Sequence, residues 1–184
     1  MPQVNVRAVA TAGAGATAIL LACVAAIPKI THWEGRENVP YQDMARRIWT
    51  VCDGETKDVV PGRYYSDAEC ETILAKRVVE FGTSISQCLP QTTPQGVRTS
   101  FIVSAWNIGA GDKGFCSSSM ARYAQAGNYP AACDALMAWN KARVNGQLVP
   151  VKGLTRRRCD ERKDCFAGLG RAAPAHPACA AVGA

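Results

Sequence analysis

Two acidic side chains lie close together in the stretch HWEGRENVPYQD, which runs from His32 to Asp43. Glu34 and Asp43 are nine positions apart, and Thr50 follows shortly after them. Cleavage of a glycosidic bond needs an acid that protonates the leaving oxygen and a second carboxylate that activates water or stabilises positive charge. We therefore consider Glu34 as the acid, Asp43 as the second carboxylate and Thr50 as a residue that holds water through its hydroxyl group.

Spacing alone does not distinguish such a catalytic pair from solvated surface charges, because two acidic residues nine positions apart are common. The acid of a glycosidase works best beside apolar groups, and Trp33 is the sequence neighbour that could supply them. His32 also invites a catalytic role, but this mechanism has no step for it, so we interpret it as structural. Asp53 and Glu55, further along the chain, are interpreted as solvated turn charges.

The cysteines indicate an exported protein. The chain of 184 residues has nine cysteines, two histidines and no CxxC pair, so the usual spacings of zinc ligands are absent, and no metal or cofactor is predicted. So many cysteines without metal motifs predict disulfides and an oxidising compartment. Eight of the nine follow residue 28 and could pair with one another, which leaves Cys23 over. The sequence leaves their connectivity open.

The N-terminal segment is apolar and weakly hydrophobic. Residues 8–27 carry no charge over twenty positions, which is long enough to span a bilayer as a helix. Most of the segment is Ala, Gly and Thr, so it is a poor span. A cleaved signal peptide and a lipoprotein signal ending at Cys23 are alternatives, but an anchor that inserts and can leave fits this composition best. In each case the rest of the chain is exported.

The rest of the chain predicts an α+β fold, with a small β-containing lobe before a larger helical lobe. The run IWTVC, at residues 48–52, predicts a small hairpin region. SDAECETILAKRVVEFG predicts a helix that opens with a capping box of Ser66 and Glu69 and closes at Gly82. A second helix is predicted in TPQGVRTSFIVSAWNIG, with Thr93 as its N-cap and Pro94 as its first residue. Its predicted buried face consists of Val97, Phe101, Ile102 and Ala105. Shorter helices are predicted at SSMARYAQAG, YPAACDALMAWN and LTRRRCDERKDCFAG.

These signals divide the chain into an anchor at residues 1–28, a folded domain at 29–170 and an Ala/Pro-rich tail of poor order at 171–184. Trp106 and Trp139 lie on apolar helix faces and are interpreted as core residues. The net charge of +6 favours an anionic partner such as nucleic acid, lipid or a cell-wall polymer. The basic run TRRRCDERK is interrupted by acidic residues and accompanied by no nucleic-acid-binding motif, so it predicts a solvated helix face.

Several motifs together resemble the phage-type lysozymes, the endolysins of glycoside hydrolase family 24. EGRENVPYQD followed by IWTVCDGET is similar to the family's catalytic signature: a Glu, eight residues, an Asp or Cys, five residues and a Thr. Further likeness is carried by YSDAEC, SAWNIGAG, SSSMARYAQAGNYPAACDALMAW and GLTRRRCDER, so the resemblance extends from about residue 30 to residue 168. It implies a two-lobed lysozyme-like fold.

The resemblance also implies a role for each site residue. Glu34 would be the general acid, Asp43 the second carboxylate and Thr50 the residue that orients the attacking water. Asn107 would line the sugar cleft. The implied reaction is hydrolysis of the β-1,4 bond between N-acetylmuramic acid and N-acetylglucosamine in peptidoglycan, which lyses the bacterial host. The chain departs from the signature in two places: six residues separate Asp43 from Thr50, and CDGET replaces an aromatic-glycine-histidine run.

Residues 8–27 resemble the signal-anchor-release segment of some of these endolysins. This implies a monomer that is tethered to the host inner membrane, faces the periplasm and is then released into it. As a further hypothesis, a released Cys23 could exchange with a disulfide near the site, such as one of Cys52. Two rival functions stay open. A lytic transglycosylase acts on the same bond without a water-activating Asp and Thr, and a non-catalytic anchored wall-binding protein is compatible with the extra residue before Thr50.

Overall fold

A computed structural model describes residues 14–43 and 47–183. Its elements confirm the predicted α+β class, with a hairpin near the start and helices after it. In chain order they are α1 Ala14–Glu34, β1 Glu37–Asp43, β2 Ile48–Cys52, α2 Asp67–Ser86, α3 Gln95–Ile108, α4 Ser119–Gln125, α5 Tyr129–Asp134, β3 Lys141–Val144, β4 Gln147–Pro150, α6 Lys152–Ala167 and α7 Pro177–Ala180. Two short 3-10 turns lie at Phe115–Ser117 and Ala135–Trp139.

Helix α1 carries the apolar segment directly into the folded domain. By length and composition, residues Gly15–Glu34 form a helix that could cross a membrane. In this conformation one face of the same helix packs against α2 and α3. Four of its residues are buried in the main core: Ala22, Cys23, Ala26 and Ile30. The predicted domain boundary at residue 28 therefore falls within a continuous helix and stays a prediction, and residues 1–13 lie outside the described part of the chain.

Helix α2 begins as predicted and ends later. Its capping box is confirmed, because the Glu69 backbone N–H donates to the Ser66 hydroxyl and the Ser66 backbone N–H donates to the Glu69 carboxylate. The prediction that Gly82 closes the helix is wrong, since α2 continues to Ser86. Gly82 instead permits close packing, because a Cβ at this position would overlap the Cys23 sulfur of α1.

Helix α3 forms the centre of the helical body. It begins at Gln95 with Pro94 at the N-cap, one residue later than predicted. Thr93 is not the cap, because its hydroxyl donates to the Pro90 carbonyl. The predicted apolar face is confirmed, and its four residues are buried in the main core: Val97, Phe101, Ile102 and Ala105.

The described residues form two β-hairpins, of which the sequence indicated one. IWTVC is strand β2, as predicted, and it pairs antiparallel with the upstream strand β1. The second hairpin, β3–β4, was not predicted. Its turn residues Asn145 and Gly146 both have positive φ, at 50° and 81°, and an Asn-Gly pair is the strongest short-range signal for such a two-residue turn.

Eight cysteines form four disulfides, as the sequence predicted: Cys52–Cys70, Cys88–Cys116, Cys133–Cys165 and Cys159–Cys179. All nine cysteines lie in the described residues, and Cys23 is the free one, buried between α1 and α2. Cys52 is bonded to Cys70 in this conformation, and an exchange of that disulfide with Cys23 stays a hypothesis.

The tail after α6 is held against that helix, so the prediction of poor order is wrong. The Cys159–Cys179 disulfide ties the tail to α6. Two arginines of α6 add hydrogen bonds, from Arg162 Nη1 to the Pro174 carbonyl at 2.8 Å and from Arg156 Nε to the Val182 carbonyl at 3.2 Å. A low-complexity composition thus forms a fixed segment because a covalent bond restrains it.

Candidate active site

A cleft of about 200 Å³ opens between the β1–β2 hairpin and the helical body. Nine residues line it: Glu34, Tyr41, Asp43, Ile48, Thr50, Gly54, Thr56, Trp106 and Asn107. The four residues predicted for the site, Glu34, Asp43, Thr50 and Asn107, are all among them. They come from four different elements, so the fold assembles groups that lie up to 73 positions apart in the sequence.

The local structure explains why the two carboxylates face the same space. Glu34 is the last residue of α1, and Gly35 follows it with a φ of 70°, a conformation that glycine adopts without strain. Asp43 is the last residue of β1 and pairs with Ile48, while Tyr41 pairs with Thr50. Directly paired residues and those two positions along share one face of a hairpin. Asp43 and Thr50 therefore project from the same face.

Asp43 pairs with Ile48, so residues 44–47 lie in the turn that connects the two strands. Residues 44–46 of this turn lie outside the described residues. Thr50 keeps its place on β2 and lines the cleft with Asp43.

Glu34 is held by Arg157, a residue of α6. Arg157 Nη1 donates to Glu34 Oε1 at 2.6 Å, and the side chains are 6% and 23% exposed, respectively. Arg157 Nε also donates to Glu161 Oε1 at 3.0 Å, and Arg158 Nη2 lies 3.1 Å from the same oxygen. Burial raises the pKa of Glu161 against the opposing effect of the two arginines. A chain of paired charges thus runs from the cleft into α6.

Arg158 fixes Asn107, the predicted site residue at the end of α3. Its side chain is fully buried, and burial lowers the pKa of its guanidinium group. Nη1 donates to Ser104 Oγ and Nη2 to Asn107 Oδ1, each at 3.0 Å. The prediction that TRRRCDERK forms a solvated helix face is therefore wrong, because Arg157, Arg158 and Glu161 point inward and pair with one another.

Gly54 brings the loop after β2 close to the predicted acid. Its φ is +91°, and a Cβ at this position would lie 3.6 Å from Glu34 Oε2 and 3.7 Å from Trp106 Nε1. These two groups therefore border the same part of the cleft. Trp106 also packs on Phe81, with ring centroids 5.3 Å apart. Its predicted core role is confirmed by that contact, but the sequence did not indicate that the ring also lines the cleft.

Trp33, which the sequence suggested as the aromatic neighbour of Glu34, is not among the residues that line the cleft. Trp33 lines a separate cavity with His32, between α1, α3 and α6. Consecutive helical residues point in directions about 100° apart, so a sequence neighbour of Glu34 on α1 faces away from the cleft. Trp106 supplies the aromatic ring instead.

Asp53 and Glu55 are buried, so their interpretation as solvated turn charges is wrong. Asp53 is 2% exposed, and its Oδ2 accepts from Arg36 Nη2 at 3.0 Å. Glu55 Oε2 lies 2.9 Å from Arg77 Nε. These ion pairs fix the loop that carries Gly54. Across residues 14–43 and 47–183, no group of three or more His, Cys, Asp and Glu side chains is arranged to hold a metal ion.

Comparison with known proteins finds relatives over most of the chain. Residues 31–161 match the sequence profile of the family described as phage lysozyme. A SAR-endolysin of Enterobacteria phage P21 is 34% identical over 170 residues, covering 91% of this chain and 99% of that protein. A SAR-endolysin of Pseudomonas phage phiKMV is 31% identical over 147 residues, covering 79% of this chain and 88% of that protein.

Two solved structures have a similar fold. The endolysin from Escherichia coli O157:H7 phage FAHEc1 superposes with a TM-score of 0.69 at 26% identity, covering 77% of this chain and 90% of that one. The active form of the P1 phage endolysin Lyz gives a TM-score of 0.67 at 25% identity, covering 85% of this chain and 96% of that one. The similarity therefore extends over most of the chain.

Proposed function

Because the chain belongs to the phage lysozyme family, we propose that it hydrolyses the β-1,4 bond between N-acetylmuramic acid and N-acetylglucosamine of peptidoglycan. Family membership makes it a lysozyme-type glycosidase, an endolysin of host lysis. The scissile bond and the roles of the site residues are the proposal. The observation that carries it is the shared cleft, in which Glu34 faces the hairpin that bears Asp43 and Thr50.

Glu34 acts as the general acid through one of its two oxygens. Oε1 accepts the hydrogen bond from Arg157, whereas Oε2 lies toward Gly54 in the cleft. Oε2 is therefore the oxygen that faces the glycosidic bond and gives its proton to the leaving oxygen. Arg157 holds the carboxyl group in one orientation, which reduces the entropy that positioning the acid would otherwise cost.

Asp43 and Thr50 act on the other reactant, the water molecule. Their placement on one face of the hairpin allows the Thr50 hydroxyl to orient a water whose proton passes to the Asp43 carboxylate. The water oxygen bonds to the anomeric carbon while the bond to the leaving oxygen breaks, and Glu34 protonates that oxygen. Attack from the face opposite the leaving group inverts the configuration at the anomeric carbon.

We place the protein at the host inner membrane and then in the periplasm. Residues Gly15–Glu34 are apolar enough to span a membrane, and the same helix completes the core when it is docked. The predicted anchor, residues 8–27, overlaps this helix. The shared stretch can therefore span the membrane in one state and pack in the core in the other. Four disulfides suit the oxidising periplasm. Binding of glycan strands by a monomer is part of the same proposal.

Mass spectrometry of fragments from purified peptidoglycan tests the proposal. The full oxidised chain is used, because α1 contributes buried core residues. Fragments ending in reducing N-acetylmuramic acid are expected. Anhydro ends, one water lighter, would instead identify a lytic transglycosylase and remove the role given to Asp43. If the folded protein released no fragments, the wall-binding alternative would replace hydrolysis.

A further inference from the structure

A second cavity, of about 460 Å³, lies between α1, α3 and α6. Its lining comes from residues 28–33, 100–103 and 160–164, and it shares no residue with the lining of the cleft. We refer to it as the α1–α6 cavity. Its volume falls within the range of about 300–1,000 Å³ that is usual for small-molecule sites. The proposed mechanism of hydrolysis gives this space no role.

One oxygen of a buried carboxylate at this cavity is left without a partner. Glu161 lines the cavity, and its side chain is 2% exposed. Its Oε1 lies 3.0 Å from Arg157 Nε and 3.1 Å from Arg158 Nη2. Since both arginines hold Oε1 from outside the lining, Oε2 is the oxygen on the cavity side. Among the described residues Oε2 accepts no hydrogen bond, and an unsatisfied buried acceptor is costly.

The acceptors at the cavity determine what a ligand must bring. A carboxylate oxygen only accepts hydrogen bonds. Ser100 also lines the cavity, and because its hydroxyl already donates to the Gly96 carbonyl at 3.2 Å, it too is left with acceptor capacity alone. A ligand that satisfies Glu161 must therefore donate an N–H or O–H group. An anionic group would instead bring a like charge to the carboxylate, which is repulsive.

The charges of the lining favour a cation among these donors. With histidine neutral, the lining has two ammonium groups, of Lys29 and Lys163, and three carboxylates, of Asp160, Glu161 and Asp164. Lys29 already pairs with Asp164. A hydrogen bond from a charged donor to a carboxylate is about twice as strong as one between neutral groups. Pairing with Glu161 also offsets the cost of burying the ligand's charge.

We propose that the α1–α6 cavity binds the primary ammonium group of a small organic amine. The ammonium N–H groups donate to Glu161 Oε2, and the alkyl part of the amine lies against Pro28, Trp33 and Val103, which line the same cavity. This site is separate from the cleft, and its existence does not depend on the proposed function.

Binding of an amine at this site holds α1 in its docked position. Four lining residues belong to α1 and four to α6, so the cavity forms only while these helices pack together. A ligand that binds the docked state alone shifts the equilibrium toward docking. The midpoint of thermal unfolding should therefore rise with the concentration of the amine.

The probe is n-butylammonium chloride, added to the full oxidised chain at constant pH and ionic strength. Binding is followed by NMR through the indole N–H signals of the four tryptophans, with the Trp33 signal assigned from Trp33→Phe. We expect a saturable shift of the Trp33 signal with a Kd on the order of 1 mM. The signal of Trp106, which lines the cleft, should show no saturable shift.

Two further ligands separate charge from hydrogen bonding. Butan-1-ol keeps the alkyl chain and an O–H donor without the charge, whereas n-butyltrimethylammonium keeps the charge without an N–H group. We expect each of them to bind at least about tenfold more weakly than n-butylammonium and to raise the midpoint of unfolding less. These comparisons use the wild-type protein, so they do not depend on the folding of a variant.

Replacement of Glu161 with Gln then assigns the contact. The amide oxygen must face the two arginines, because a guanidinium group only donates, so the NH₂ group takes the place of Oε2 and offers the cavity a donor. We expect the Kd of n-butylammonium to rise at least about tenfold in Glu161→Gln. Asp160→Asn is the matched control, since this exposed neighbour also lines the cavity. Solvent screens its charge, so its Kd should change by less than about threefold.

Four results would overturn the proposal. Equal binding of the alcohol or of the trimethylammonium compound would remove the ammonium assignment. A saturable shift of Trp106 without one of Trp33 would show that the amine binds in the cleft instead. Wild-type affinity in a folded Glu161→Gln protein would exclude Glu161 as the contact. No saturable shift of Trp33 would show that the α1–α6 cavity does not bind amines.

Discussion

Arg157 Nη1 lies 2.6 Å from Glu34 Oε1, although 123 positions separate the two residues in the sequence. This contact joins the C-terminal end of α1 to α6 directly at the cleft. Arg157 is itself fixed by Glu161 at 3.0 Å, so the orientation of Glu34 depends on a helix that the cleft lining does not include. In the proposed mechanism, α6 therefore has a positioning role.

Replacing Arg157 with Met should lower both turnover and stability. The change frees the Glu34 carboxylate, and we expect kcat to fall about a hundredfold because the acid loses its orientation. It also deprives buried Glu161 of one partner, which should reduce the free energy of unfolding by about 3 kcal/mol. Arg156→Met is the matched control, because this neighbouring side chain is exposed. Peptidoglycan turnover and urea denaturation of both variants check the prediction, and wild-type turnover in Arg157→Met would contradict it.

Two disulfides of similar loop length should differ in their effect on activity. Cys52–Cys70 and Cys159–Cys179 span 18 and 20 positions, so replacing either pair with Ala should destabilise the fold by about 3 kcal/mol. Cys52 ends the strand that carries Thr50, whereas Cys179 lies in the tail. We expect a larger loss of turnover for the first double variant, measured at a temperature where both are folded. Equal losses would show that the strand does not need this tether.

Docking of α1 can be tested where Cys23 packs against Gly82 of α2. In an exposed helix Gly→Ala is stabilising by about 0.5–1 kcal/mol, but Gly82→Ala should destabilise by about 2 kcal/mol because its Cβ would overlap the Cys23 sulfur. Adding Cys23→Ala removes that sulfur and should restore most of the loss. The measurement is a double-mutant cycle by urea denaturation, and strictly additive effects, or stabilisation by Gly82→Ala alone, would contradict docking.

The sequence predicted the residues that meet in the cleft better than the contacts that hold them. The placement of Glu34, Asp43, Thr50 and Asn107 in one cleft agrees with the family signature, because a motif retains the spacing that its fold requires. Arg157 was missed as a partner of Glu34, since a contact over 123 positions leaves no local pattern. Its pairing with Glu161 had a signal, because oppositely charged residues four positions apart on a helix are neighbours.

The burial of the charged side chain of Asp53 also could not be predicted from its neighbours in the sequence. Asp53 sits in a turn-like stretch, and such residues are usually solvated. Its burial depends on Arg36, which comes from a different segment of the chain. Gly82 similarly carries a helix-ending signal, but tertiary packing against Cys23 overrides it. In both cases the deciding atom belongs to an element distant in sequence.

Turnover of Glu34→Gln, measured beside Glu37→Gln, tests the proposed role of Glu34 as the general acid. Glutamine keeps the shape of Glu34 and an oxygen for Arg157 but has no proton to give to the leaving oxygen. Glu37 is an exposed glutamate on β1, outside the cleft lining. We expect Glu34→Gln to lose about a thousandfold in the release of reducing ends from peptidoglycan, with an unchanged midpoint of unfolding, and Glu37→Gln to stay near wild type. A folded Glu34→Gln protein that cleaves at the wild-type rate would contradict the assignment of Glu34 as the acid.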